Sequence, residues 1–143
     1  CAITLKLFDV YGPNDPRNKI ISLLGKHSYN QRPLRMSPGE QRMDLVYIDD
    51  VVEAFCHAAR LVKKTRGNTL ESCYAVSSLR HVPLKKIAAI YQQVTGRKIK
   101  ILWGARPYRT REIMVPWKGK ILPGWRPAVD LKTGIREIGE TLP

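Results

Sequence analysis

Residues 41–52 read QRMDLVYIDDVV, and this stretch decides the fold class of the chain. Its middle part, 44–48, has the β-branched and aromatic residues of a short strand. Asp49 or Asp50 follows at the position of a helix N-cap, and the apolar residues after it recur at helical spacing. The stretch therefore predicts a strand that passes directly into a helix.

Strands and helices alternate on both sides of this stretch. The predicted strands cover 3–8, a short segment within 32–36, 44–48, 72–76 and 98–103. The predicted helices run from Pro16 to a closing Gly25, from Asp49, from Val82 to a closing Gly96, and from about Asp130. A loop rich in Pro, Trp and Gly covers 104–127. Because strands alternate with helices along 143 residues, the sequence predicts an α/β fold in a single unit.

The composition limits the class of protein. With 43% apolar residues the chain can bury a core, and no apolar stretch approaches the roughly 20 residues of a membrane span. Nothing reads as a targeting segment, so we expect a cytoplasmic protein with no membrane partner. Cys1, Cys56 and Cys73 lack metal-binding spacing and are interpreted as small core hydrophobes in a reducing compartment. No metal site is predicted.

The net charge of +13 predicts an anionic partner, which is a nucleic acid, a membrane surface or a small phosphorylated ligand. Between residues 97 and 126 nine basic residues face a single acid, Glu112. Lys98, Lys118 and Lys120 are interpreted as solvated surface residues. The compact group at 106–111, set between prolines and aromatic residues, is instead a candidate ligand site.

The chain carries no complete catalytic motif. It has no G-x-G-x-x-G, P-loop, G-x-S-x-G or H-E-x-x-H sequence, and no Tyr followed four residues later by Lys. The adjacent carboxylates Asp49 and Asp50 resemble an acid/base pair, but their place before an apolar helix favours capping and a favourable interaction with the helix dipole. His57, beside Cys56, is interpreted as a packed or surface residue rather than a ligand. We therefore predict no catalytic residue in this chain.

Four segments together resemble one family, the extended short-chain dehydrogenase/reductases of the NAD-dependent epimerase/dehydratase type, which modify sugar nucleotides. Residues 5–13, LKLFDVYGP, are similar to the pattern LRxFNVYGP, and 41–52 are similar to QxRDFVYVDDVV. Residues 74–77 lie where family members have YNVGS, and 122–135 are similar to LGWxPxxxLxxGI. The segments follow the family's order and spacing over essentially the whole chain. Lys6 and Asp9 depart from the Arg and Asn of the pattern.

The resemblance implies which part of such an enzyme residues 1–143 correspond to. In this family the Gly-rich loop and the Tyr-x-x-x-Lys pair precede the VYGP segment. The chain would then be the C-terminal portion of a Rossmann-like fold, with the last strands and helices and the small substrate-binding subdomain. The resemblance implies NAD or NADP as cofactor of the complete enzyme, with no tight cofactor binding by this chain. It also leaves an unpaired edge at the opening strand, through which we expect self-association.

The resemblance further implies a nucleotide-sugar ligand whose diphosphate is bound by arginines of this half. Guanidinium groups suit a diphosphate because they donate two parallel, charge-assisted hydrogen bonds. Arg42 resembles the signature arginine, and the 109–112 stretch resembles the Arg-x-x-Asp/Glu of the C-terminal loop. The candidate substrate-binding residues are Tyr11, Gly12, Pro13, Arg42, Arg109, Arg111 and Glu112.

Several roles remain open for these residues. Glu112 is expected to orient an arginine or to bind a ribose hydroxyl. Arg42 alternatively forms a structural ion pair with Asp44 or Asp49, and Arg111 alternatively faces solvent beside Arg109. Tyr11–Pro13 are expected to form the turn that borders the ligand cleft, with Gly12 present for its backbone freedom.

Two other functions are weighed against substrate binding. A basic nucleic-acid-binding module fits the charge, but the chain shows no helix-turn-helix spacing, zinc pattern or aromatic strand platform, so nucleic acid is disfavoured. An interaction fragment that completes a partner chain is the other alternative. Residues 103–109 resemble members of the family that handle CDP- or dTDP-hexoses.

Overall fold

The computed structural model of the chain describes residues 2–64 and 71–141. Its elements, in order, are β1 (Ala2–Leu7), β2 (Asp9–Tyr11), α1 (Ile20–Asn30), β3 (Leu34–Arg35), β4 (Arg42–Tyr47), α2 (Ile48–Lys64), β5 (Glu71–Val76), β6 (His81–Pro83), α3 (Leu84–Thr95), β7 (Ile101–Leu102) and α4 (Leu131–Thr141). Strands alternate with helices as the periodicity predicts, so the α/β fold class is confirmed.

The strands associate mainly in parallel pairs. β1 lies parallel to β5, in a register that runs from Ala2 opposite Glu71 to Leu7 opposite Val76. β4 lies between β2, which is parallel to it, and β6, which is antiparallel to it. β3 and β7 form a third, parallel pair. Because parallel neighbours need long crossover connections, these pairs account for the helices between the strands.

Two apolar clusters hold the fold together. The first packs side chains of α1, α3 and α4 around Tyr11 and Tyr47, with Leu24 and Ile87 fully buried in it. The second lies between α2 and the β1–β5 pair and includes Val46 and Trp125. β4 supplies residues to both clusters, since successive side chains of a strand point to opposite faces.

Residues 41–52 form β4 and the start of α2 as predicted, but Asp50 is not the N-cap of that helix. The helix already begins at Ile48, so both acids lie in its first turn. The Asp50 carboxylate, in a residue that is only 5% exposed, accepts hydrogen bonds from the backbone N–H groups of Ala128 (2.8 Å) and Val129 (3.0 Å). These hydrogen bonds therefore hold residues 128 and 129, which precede α4, against α2.

The boundaries of two predicted elements, α1 and the strand at 98–103, were wrong. α1 begins at Ile20 rather than Pro16, and it continues past the buried Gly25 to Asn30, ending at Gln31 in a left-handed conformation. The predicted strand at 98–103 is reduced to β7. In its first half the Ile99 N–H donates to the side-chain oxygen of Gln92, at 2.8 Å, and not to a neighbouring strand.

The end of α3 and the start of α4 lie where the sequence places them. Gly96 ends α3 with a φ of +67°, a backbone conformation that glycine adopts without steric cost. Asp130 precedes α4, and its carboxylate accepts a hydrogen bond from the Thr133 N–H at 2.9 Å. Asp130 therefore caps α4, which begins about where the sequence predicts a helix.

The cysteine prediction was wrong for the two cysteines that the structure describes. Cys56 on α2 and Cys73 on β5 are free thiols and are exposed. On β5 the neighbouring Tyr74 takes the buried face, so Cys73 points the other way. Cys1 lies outside the described residues. Within residues 2–64 and 71–141, no helix is both long and apolar enough to cross a membrane.

Candidate functional site

A cavity of about 840 Å³ opens beside the carboxyl end of β1. Its wall combines the end of β1, the turn before α1, the β3–β4 region and the loop after β7. The wall carries seven basic and three acidic side chains, namely Lys6, Lys19, Arg35, Arg42, Arg106, Arg109 and Arg111 against Asp9, Asp44 and Glu112. This excess of positive charge suits an anionic ligand.

Arg109 and Arg111 have guanidinium groups that are available for a ligand. Both residues are exposed and line the cavity, and neither forms an ion pair with any part of the chain that the structure describes. The Glu112 N–H donates to the Arg109 carbonyl at 3.0 Å, which closes the 109–112 turn. The three predicted residues of this loop are therefore together on one wall.

The loop that carries these arginines is fastened to β3 and β4. The Arg106 N–H donates to the Met36 carbonyl at 3.1 Å, and the Glu40 N–H donates to the Tyr108 hydroxyl at 3.1 Å. Further along, the Arg42 N–H donates to the carbonyl of Met114 at 2.8 Å. These contacts, two between backbone groups and one through the Tyr108 hydroxyl, position the arginines without using their guanidinium groups.

Arg42 also lines the cavity, but in a setting that the sequence did not indicate. Its Nη1 donates to the His81 carbonyl at 3.1 Å, and the alternative ion pair with Asp44 or Asp49 is not formed among the described residues. Counted back from Asp44, the arginine of the family pattern falls on Met43. Arg42 is therefore one position out of register with the signature arginine.

Asp44 is a buried carboxylate that sequence reasoning did not assign to the site. It accepts hydrogen bonds from the Ser77 hydroxyl (2.5 Å), the Ser78 N–H (2.8 Å) and the Ser78 hydroxyl (2.6 Å), and His81 Nε2 lies 3.5 Å from it. These bonds hold the 77–81 loop against β4 at the cavity wall. The available signal was a charged residue at the start of an apolar strand.

Tyr11–Pro13, predicted as substrate-binding, are not on the cavity wall. Tyr11 is 2% exposed and packs edge-on against Tyr47, and burial raises the pKa of the Tyr11 phenol above its ordinary value. A Cβ on Gly12 would lie 2.5 Å from Ile48 Cγ2, so glycine is required there for close packing and not for an unusual φ. Their contact with substrate stays a prediction.

An aromatic pair on the wall was also missed. Phe8 and Trp117 stack with ring centroids 6.5 Å apart, and the Lys6 ammonium lies 4.8 Å from the Trp117 ring. The two aromatic residues are far apart in sequence, so only the fold reveals the contact.

The described residues do not fit the pyrophosphate of a nicotinamide cofactor. Rossmann folds bind that group at a glycine-rich turn between a strand and a helix N-terminus. Here β1 leads through Phe8 into β2, and the turn before α1 contains Pro13 and Pro16 with the single Gly12. Within the described ranges there is also no group of three or more side chains suited to a metal ion.

Comparison with known proteins finds relatives of one kind. Residues 1–71 match the NAD dependent epimerase/dehydratase family. A CDP-abequose synthase of Yersinia pseudotuberculosis is 30% identical over 112 residues, which are 78% of this chain and 38% of that protein. A CDP-abequose synthase of Salmonella typhimurium is 32% identical over 145 residues, which cover 95% of this chain and 46% of that protein. The chain spans less than half the length of these relatives.

Solved structures share the fold. The UDP-glucuronic acid 4-epimerase of Bacillus cereus, in complex with UDP-4-deoxy-4-fluoro-glucuronic acid and NAD, has a TM-score of 0.81 at 21% identity, over 97% of this chain and 44% of that one. The UDP-glucose 4-epimerase of Thermotoga maritima, with UDP-glucose, has a TM-score of 0.76 at 21% identity, over 97% of this chain and 45% of that one. The fold is therefore that of part of a Rossmann-like α/β enzyme. The chain belongs to the NAD dependent epimerase/dehydratase family.

Proposed function

We propose that this chain supplies the nucleotide-sugar-binding part of an NAD-dependent epimerase/dehydratase. The observation that carries the proposal is the cavity in which Arg109 and Arg111 present unpaired guanidinium groups beside Arg42. A diphosphate carries about two negative charges, and guanidinium groups bind it through paired, charge-assisted hydrogen bonds. We assign to Glu112, on the same turn, a hydrogen bond accepted from a ribose hydroxyl.

The substrate class that we propose is a CDP- or dTDP-hexose. The two relatives described above are named CDP-abequose synthases, and the chain's own 103–109 stretch has the character of members that handle such hexoses. A cavity of about 840 Å³ has room for a whole nucleotide sugar.

In the proposed function this chain binds and orients the nucleotide sugar. Hydride and proton transfer depend on residues outside this chain. When bound, NAD or NADP supplies hydride acceptance and return in the complete enzyme. The residues that hold the cofactor and move protons belong to the part of the enzyme that precedes this chain. We therefore expect no NAD(P)-dependent turnover of sugar nucleotides by the chain alone.

Equilibrium binding tests the proposal. We expect the chain to bind CDP or dTDP at least tenfold more tightly than inorganic phosphate, since only the nucleotide reaches both the arginines and Glu112. Mixed-sequence DNA is measured in parallel across a salt series. Equal affinity for phosphate and nucleotide would contradict the proposal. Tight DNA binding that weakens steeply with salt and displaces CDP would instead support the basic nucleic-acid-binding alternative.

A further inference from the structure

Trp117 is an exposed aromatic ring fixed on the cavity wall. The residue is 48% exposed even though its indole stacks on Phe8 with the two ring planes inclined at 22°. The Lys6 ammonium covers part of the ring at 4.8 Å from its centroid. Water solvates a large aromatic surface poorly, so an indole held in this way on a cavity wall is suited to contact a ligand ring.

The backbone on both sides of Trp117 is anchored. On one side the Met114 carbonyl accepts the N–H of Arg42, and on the other the Lys120 carbonyl accepts the N–H of Ala75, each at 2.8 Å. Gly119 completes the arrangement, because a Cβ at that position would clash with the Trp117 ring. The indole is therefore oriented before any ligand binds, which lowers the entropic cost of binding.

Lys6 indicates which ring of a nucleotide sugar meets the indole. The Lys6 ammonium lies 4.8 Å from the centre of the Trp117 ring, so a phosphate that paired with this ammonium would lie beside the indole. In a nucleotide sugar the pyranose is bonded directly to one phosphate, whereas a ribose separates the base from the other. If Lys6 binds the phosphate that carries the sugar, the ring nearest to that phosphate is the pyranose. Its C–H groups carry partial positive charge and suit the negative face of an indole.

We propose that Trp117 binds the hexose ring of the nucleotide sugar, with Lys6 on the adjoining phosphate, and so determines the preference for a glycosylated nucleotide over the bare one. This inference rests on the proposed function, because it requires the diphosphate in the same cavity. It assigns a role to a residue outside the group proposed for the diphosphate, Arg42, Arg109 and Arg111, and outside Glu112, which is proposed for the ribose.

Calorimetric titration of the full chain with CDP and CDP-glucose, and with dTDP and dTDP-glucose, tests the inference. We expect Trp117→Leu to weaken binding of the glucosylated nucleotide roughly tenfold and that of the bare diphosphate less than twofold. Trp117→Tyr should restore most of the loss, because it returns an aromatic face. Trp103→Phe is the matched control, since Trp103 packs against the core and not on this wall.

Each outcome decides the matter. A loss confined to the glucosylated nucleotide and rescued by Tyr supports the inference. If Trp117→Leu weakens binding of the glucosylated and the bare nucleotide equally, or weakens neither, the inference is overturned. The proposed function still stands in that case, provided that the unmutated chain binds CDP or dTDP. Absence of binding by the unmutated chain to all four nucleotides would overturn the inference and the proposed function together.

Discussion

The carboxylate of Asp44 accepts hydrogen bonds from both the backbone N–H and the hydroxyl of Ser78, at 2.8 Å and 2.6 Å. Asp44 is fully buried, so these bonds and the one from Ser77 replace the water that the charge has lost. They join β4 to the loop that follows β5, residues 34 positions apart in sequence. The same loop then turns back through Leu79, which has a left-handed backbone with a φ of 62°.

Asp44→Ala should lower the free energy of unfolding by about 3 kcal/mol, because the variant leaves several buried donors without an acceptor. Ser77→Ala removes one of those donors and should cost about 1 kcal/mol. Urea unfolding of the two variants provides the comparison. If Asp44→Ala unfolds within about 0.5 kcal/mol of the unmutated chain, the carboxylate does not hold the loop.

Asp50 and Asp49 offer a matched pair in the first turn of α2. Asp50→Ala removes the acceptor of the Ala128 and Val129 N–H groups and should cost about 2 kcal/mol. Asp49→Ala, at an exposed position, should cost less than about 0.5 kcal/mol, since only a helix-dipole interaction is lost. Denaturant unfolding measures both values. Equal losses of unfolding free energy would mean that both acids contribute only through their interaction with the helix dipole.

Tyr47 predicts how stability changes at alkaline pH. Burial, and then a hydrogen bond with Glu137, raise the pKa of Tyr47 to about 12. Because the folded pKa lies above the unfolded value of about 10, the stabilisation is complete below pH 10 and is lost as the pH rises toward 12. Tyr47→Phe should make the fall of the unfolding free energy less steep by about 1.4 kcal/mol per pH unit in that window. An unchanged slope would show that Tyr47 ionises normally in the folded chain.

The open edge of β1 predicts self-association. Among the described residues β1 pairs on one side only, with β5, and Leu7 at its end is 45% exposed. Val52 and Phe55 of α2 are exposed apolar residues as well. We expect small oligomers at low salt and larger ones as salt screens the +13 charge.

Sedimentation velocity across a salt series measures this association. Leu7→Lys should shift the distribution toward monomer, because a charge at a strand edge opposes pairing with another strand. Lys63→Leu, at an exposed position of α2, is a control that alters charge and hydrophobicity away from the edge. A monomer at every salt concentration would contradict the prediction.

Local signals in the sequence predicted the elements well and their ends less well. The strand and helix in 41–52 follow from side-chain periodicity, which depends on near neighbours only. The end of α1 was missed because Gly25, a common helix terminator, is tolerated inside a helix when it is buried against a neighbour. Pro16 was assigned to a first helical turn but lies in the loop before the helix.

The resemblance to a family pattern pointed to residues that share one cavity wall, but it could not reveal contacts between residues distant in sequence. Arg109, Arg111 and Glu112, which that resemblance singled out, line the same cavity, and their contact with a ligand stays a prediction. The contact of Phe8 with Trp117 depends on tertiary structure, and no local rule connects those positions. Asp50 was assigned a local capping role because its partners lie 78 and 79 residues away.

The most direct test of the account compares two double variants that each remove two positive charges. Arg109→Ala with Arg111→Ala removes two guanidinium groups of the cavity wall that form no ion pair, whereas Lys63→Ala with Lys64→Ala removes exposed charges at the end of α2, outside the cavity wall. The measurement is the dissociation constant for CDP or dTDP, whichever the unmutated chain binds more tightly, at physiological ionic strength. We predict that the arginine pair raises it at least tenfold and the lysine pair less than twofold. Equal effects of the two pairs would show that the nucleotide responds to the overall charge of the chain and would contradict a diphosphate site at Arg109 and Arg111.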